Sequence, residues 1–147
     1  MEREDLNYRP FPTSLENISL FESKNNIIVP EDLKTYFKIL NGTNGSYDSL
    51  FFEFYSVDRI KRIDDEYKDW EGIPDFNNII NTLQNFKHYY VFANYSFHLF
   101  AYCINLNVES PLRNSVLVVC GDKYKVIANS FTEFVGLYLE ESISLQL

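Results

Sequence analysis

Two cysteines and two histidines are all that 147 residues offer to thiol or transition-metal chemistry. Neither His88 nor His98 has a metal-type partner two, three or four residues on, so no metal site is read and no cofactor is expected. A Cys–His nucleophile fares no better. His98 and Cys103 are an odd number of residues apart and would point to opposite faces of a strand, and Cys120 could reach His98 only across strands. Glycine-rich phosphate loops, G-x-S-x-G and Ser-x-x-Lys are all missing. Long apolar runs are missing too: the longest is Leu99–Ile104, far short of a membrane span. The opening Met1-Glu2-Arg3-Glu4-Asp5 holds no apolar segment, so no signal peptide is expected and a cytoplasmic location is the default. Positive charge is scarce, with 13 Lys and Arg against 21 Asp and Glu, a net −8. That balance argues against a nucleic-acid backbone or an anionic membrane as partner and is compatible with a basic one. No enzyme is read from these residues.

What is plentiful is aromatic. Phe, Tyr and Trp make up 17% of the chain, ample for one core in a length suited to one domain, 1–147. The stretch Tyr90–Ile104 carries two aromatic and branched runs around Asn94-Tyr95-Ser96, which reads as a tight reversal between antiparallel strands. The second run is apolar on both faces, the mark of a central strand covered on each side. Cys103 and Cys120 fall inside strands and read as small buried hydrophobes rather than a bridge.

Taken in order, Met1–Pro12 is a polar arm, loosely ordered, with two prolines. Thr13 and Glu16 resemble a capping box for a helix with Leu15, Ile18 and Phe21 on its apolar side. Pro30 suits a first helical position, and Leu33, Tyr36, Phe37 and Leu40 follow at helical spacing until Asn41-Gly42. Thr43–Ser49 reads as a surface loop. Leu50–Tyr55 is a strand, and Ser56-Val57-Asp58 starts a helix to about Trp70, with Lys61–Asp65 and Arg62–Glu66 pairs on its outside. Asp75–Phe86 is a short helix or an irregular excursion. Ser115–Cys120 and Tyr124–Ala128 are strands turned by Gly121-Asp122-Lys123. Ser130 and Glu133 then cap a helix whose apolar face is Phe131, Phe134, Val135 and Tyr138. Together this is an α+β fold.

Six carboxylates, Asp64, Asp65, Glu66, Asp69, Glu71 and Asp75, stand against the single Lys68 in one short segment. They lack the spacing of a calcium loop and the apolar pocket that tunes a catalytic acid. A solvated face and a protein-binding patch remain as readings. Trp70 in their midst is either a core plug or an interface anchor.

Four segments in order are similar to the SUKH superfamily, the domain shared by fungal SMI/KNR cell-wall-assembly regulators and many bacterial immunity proteins. They are Val29-Pro30-Glu31-Asp32-Leu33 through Tyr36-Phe37 to Asn41-Gly42; Phe54–Ile60; Val91-Phe92-Ala93-Asn94 with Ala101-Tyr102; and Val126–Phe134. The polar Thr43–Ser49 departs from the apolar, Gly-rich continuation common in the family. The resemblance implies a mainly antiparallel sheet of about five or six strands packed with helices, and a binding role rather than catalysis. It also implies a choice of partner. The preferred one is a cognate bacterial toxin domain, frequently a nuclease, which the protein neutralises by binding; the acidic segment, rather than the resemblance, supplies the expected contacts Asp64, Asp65, Glu66, Asp69 and Trp70. The alternative is a host protein bound by a regulatory or scaffolding module of SMI/KNR type.

Overall fold

The computed structural model describes residues 13–147, so the expected Met1–Pro12 arm lies outside the described residues. Helix α1 (Leu15–Asn25) is capped by Ser14, whose hydroxyl accepts from the Asn17 N–H; the cap falls one residue later than the spacing suggests. Asn26, in the left-handed conformation, stops it. Helix α2 (Glu31–Ile39) buries Leu33 and Phe37 and is followed by Asn41 and Gly42, both at positive φ.

The sheet is a meander of β3 (Tyr89–Tyr95), β4 (Phe100–Asn105), β5 (Val116–Cys120) and β6 (Lys123–Ala128), antiparallel throughout. The outer edge of β3 is shared by two short strands, β1 (Phe52–Phe54) and β2 (Lys61–Arg62), again antiparallel. β4 is therefore central, and each of its six residues is buried. A bulge between Val91 and Ala93 slips the β3 register. Phe92 sits at the slip and packs on Phe131 and Phe134 of helix α5 (Phe131–Leu139), with ring centroids 5.6 and 5.0 Å away.

Alternation then decides what each face needs. Phe52, Phe54 and Tyr102 share one face, where Tyr138 lies edge-on to Phe52 and Phe54, each at 5.1 Å, and Phe134 reaches Tyr102 at 5.3 Å. Helix α5 uses the expected stripe, capped by the Ser130 hydroxyl on the Glu133 N–H. The other face carries Glu53, Asn94 and Ala101 and is covered by residues 63–88. There α3 (Ile63–Glu66) and α4 (Ile79–Thr82) are single turns, and the buried Tyr67 and Phe76 stack at 4.0 Å. The Thr82 hydroxyl donates to the Asp122 carbonyl at the far side of the sheet.

Two local readings are corrected. The helix expected from Ser56 to Trp70 is broken into a 3-10 turn at Val57–Arg59, strand β2 and the short α3. The reason is that Lys61 and Arg62 pair with Val91 and Tyr90, completing β3's outer edge in preference to helical hydrogen bonds. The reversal expected at Asn94-Tyr95-Ser96 lies at Ser96–Leu99 instead, because Asn94 and Tyr95 still pair with Ala101 and Phe100.

The far edge of β1 is sealed by the loop after α2. The Thr43 N–H donates to the Phe54 carbonyl, the Phe54 N–H to Thr43 Oγ1, and the Val57 N–H to Asn41 Oδ1. This close approach is what demands glycine at 42: a Cβ there would lie 2.7 Å from the Phe54 oxygen and the Ser56 nitrogen, at φ +92°. Gly42→Ala is expected to cost on the order of 3 kcal/mol in a urea melt, combining overpacking with left-handed strain. Gly45→Ala, at φ +79° in open space, is expected to lose only about 1 kcal/mol. Equal losses at the two positions would show that contact with β1 is not what restricts residue 42.

Candidate functional site

On the face opposite α5, the side chain of Asn94 rises from β3 into a fully buried position. Its amide nitrogen donates to Glu53 Oε1 (3.1 Å) and Tyr55 Oη (3.0 Å), and its oxygen accepts from the Tyr47 hydroxyl (2.8 Å) and the His98 N–H (3.0 Å). Two donors and two acceptor positions are thus all used. The turn Ser96–Leu99 and the loop carrying Tyr47 are both tied to the sheet through this one side chain.

Next to it sits a charge pair. Arg59 meets Glu66 bidentately, at 2.6 and 2.9 Å, and lies over the Tyr55 ring with its guanidinium carbon 4.3 Å from the centroid. The Glu66 side chain is only 3% exposed. Its hydrogen bonds and charge hold the Arg59 guanidinium above even its usual range, against the cost of desolvation. Removing either partner would leave a charge stranded in a part-buried site.

Tyr67 and Trp70 join this cluster to the Ser96–Leu99 turn. Tyr67 Oη is hydrogen-bonded to His98 Nδ1 at 2.9 Å, and the Trp70 ring lies 5.0 Å from the imidazole and 5.5 Å from Tyr67. The indole N–H donates to the Pro74 carbonyl. Trp70 is therefore a half-buried wedge with its polar atom satisfied, while Tyr67 belongs to the core.

The five residues singled out in the sequence separate into two groups. Glu66 is buried against Arg59. Asp64 is held bidentately by Arg62 at 2.8 and 2.6 Å, and that hydrogen bonding lowers its carboxyl below the usual range. Trp70 packs inward. Asp65 and Asp69 are exposed, as are Glu71 and Asp75. Asp65 lines an open groove of about 430 Å³ beside α1 together with Lys24, Lys61 and Lys68, so its charge is set among cations. None of the pairs expected at helical spacing forms; the charges pair as Arg59–Glu66 and Arg62–Asp64 once the helix is broken. Reasoning from sequence missed Asn94, which looked like a turn residue, and Arg59, which had no partner at i+3 or i+4.

Nucleophilic chemistry finds little support in these environments. Cys103 is fully buried and desolvation pushes its thiol far up, away from thiolate formation. Burial raises the partly buried Cys120 thiol as well. Among the described residues, no group of three His, Cys, Asp or Glu side chains could hold a metal ion. Nor, among them, is any helix long and apolar enough to cross a membrane.

The model of the SMI1 / KNR4 family (SUKH-1) matches residues 12–136 of the chain. No curated protein matches it.

His98 gives this cluster a pH signature. Burial depresses its imidazole below the ordinary 6.5, an effect that Glu66 opposes and Arg59 reinforces. The unfolded chain therefore takes up this proton at a higher pH than the folded one. Stability is full above about pH 6.5 and declines as pH falls below it, until the folded value is passed. In urea melts at about pH 7.5 and 5.5, the native protein is expected to lose more stability than His98→Gln. A folded-state imidazole titrating at or above 6.5 by NMR would contradict this.

Proposed function

Since the chain belongs to the SMI1 / KNR4 family (SUKH-1), we propose that it works by binding another protein, and that the partner is a basic toxin domain which it neutralises as an immunity protein. The observation that carries this reading is the framing of the acidic segment. Its inward carboxylates, Glu66 and Asp64, are each clamped by an arginine, which fixes the backbone that presents the exposed Asp69 and Asp65. Carboxylates on a rigid frame need little ordering when a partner arrives. The net charge of −8 adds long-range attraction toward a basic cleft. If that cleft belongs to a nuclease, the carboxylates occupy the place of backbone phosphates.

Trp70 serves this surface from behind, holding the segment on Tyr67, Phe76 and His98. Asp64 and Glu66 act in the same way, as positioning groups. The direct contacts are assigned to Asp69 first and Asp65 second, because Asp65 shares its groove with lysines. Membership of the SMI1 / KNR4 family is equally compatible with a second reading, a regulatory or scaffolding module that binds a host protein with no toxin involved.

The test is co-expression with the product of the adjacent gene, followed by stopped-flow association with the purified pair. A toxin domain that binds supports immunity, and a non-toxic bound partner supports the regulatory role. For a basic partner, Asp69→Lys is expected to slow association roughly tenfold at low salt and to flatten its salt dependence, with Asp65→Lys weaker. Unchanged rates for both variants would remove this segment from the contact.

A further inference from the structure

Among the described residues, ten that are not glycine adopt positive φ, and five of these are asparagine: Asn26, Asn41, Asn44, Asn85 and Asn114. Asparagine tolerates this conformation, so at those positions the chain follows local preference. Two positions do the opposite. Phe51 sits at φ +67° and Phe97 at φ +55°, and the two residues are 57% and 71% exposed. A bulky residue there carries backbone strain, and neither ring recovers it by burial.

Both turns are locked from beneath. Asp48, itself buried, accepts from the N–H groups of Leu50 and Phe52 and from the Tyr138 hydroxyl, closing the turn that lifts Phe51. Asn94 accepts from the His98 N–H and closes the turn that lifts Phe97. A hydrogen bond from the Ser96 N–H to the Phe51 carbonyl, 2.8 Å, binds the two turns side by side. Tyr47 supports Phe97 from the flank with centroids 4.6 Å apart. The two phenylalanines therefore stand as one rigid, strained, exposed pair.

The surroundings say what would cover it. Trp70 packs on His98, the neighbour of Phe97, and is flanked in sequence by the exposed Asp69 and Glu71. Glu53 is joined through Asn94 to Tyr47, the ring that flanks Phe97. Arg59, which also lies on this face, is engaged by Glu66. The Glu53 carboxylate acts on Tyr47, the ring against Phe97, and aromatic rings beside a carboxylate attract arginine and lysine both by charge and by the ring face.

We propose that Phe51 and Phe97 are paired anchors by which this end of the sheet grips a basic protein partner, whose arginine or lysine side chains lie across the two rings. The inference rests on the protein-binding reading above and names a second part of the same surface. Steering belongs to Asp69 and Asp65, and lifetime of the complex to the phenylalanines.

The experiment uses the full chain, its Phe51→Asn/Phe97→Asn variant and the purified product of the adjacent gene. Kd and dissociation rate are measured by surface plasmon resonance and the thermal midpoint by circular dichroism. The variant is expected to bind roughly 30-fold more weakly, mainly through faster dissociation, while its thermal midpoint stays equal or rises as strain is relieved. Affinity within about threefold of the native chain would overturn the anchor assignment and leave the protein-binding reading standing. A lowered midpoint would overturn it too, by showing that the rings serve the fold. If the native chain does not bind that partner at all, the underlying reading fails and this inference falls with it.

Discussion

A buried amide is the constraint around which the rest is arranged. Asn94 stands on β3, the strand that pairs with β4 on one side and with β1 and β2 on the other. A primary amide withdrawn from water needs each of its hydrogen-bonding positions filled, at a penalty of about 1–3 kcal/mol for each one left open. Glu53, Tyr55, Tyr47 and the His98 backbone fill them. Those four partners come from β1 and its continuation, the loop before it, and the β3–β4 turn. The placement of all three pieces is thus dictated by one side chain, and register slips in β1 or β3 would break the set.

The second constraint is the two-sided burial of β4. One cover is easily built, since α5 brings Phe131, Phe134 and Tyr138 down together, each ring worth about 2–3 kcal/mol on burial. The other face is covered by a segment with little regular structure, residues 63–88. Such a segment has few internal hydrogen bonds to hold its shape, so it relies on side chains: Arg59–Glu66 and Arg62–Asp64 at its start, the Trp70 indole on Pro74 in its middle, and Thr82 on Asp122 at its end. Seen this way, the acidic stretch is half scaffold. Its inward acids, Glu66 and Asp64, hold Arg59 and Arg62, and its outward acids face solvent.

What could be read from the residues, and what could not, follows from the range of the forces involved. The strands β3 to β6, helix α2 and helix α5 announce themselves through periodicity and caps, because period and cap are local properties; Ser130 with Glu133 is the clearest case. Val57–Trp70 misleads for the same reason. Its helical spacing and its i,i+4 charge pairs are real local preferences, but they are worth a few tenths of a kcal/mol each and give way to β pairing with Val91 and Tyr90. The site was half legible. A run of acids marks an unusual segment, yet nothing local reveals that Glu66 turns inward to Arg59, seven residues back. Asn94 illustrates the limit most directly: asparagine next to tyrosine and serine is turn chemistry by local rule, and only the partners brought by distant segments make it a core residue.

The contrast between the five asparagines at positive φ and the two phenylalanines bears on how this surface came to its form. A chain under pressure only to fold would place asparagine or glycine at 51 and 97, as it does at 41, 42, 44 and 45, a few residues away on the same loop. Keeping an exposed ring in a left-handed backbone costs strain and gains little burial to offset it. Marginally stable proteins do not retain such positions without some compensating requirement outside the fold. Buried Asp48 and Asn94 also hold both turns stiff. A stiff ring loses little entropy on contact, whereas a flexible one would lose much of its binding energy to ordering. The proposed anchor role accounts for strain, exposure and rigidity at the same two positions together, since a partner surface shaped to receive the rings would call for all three.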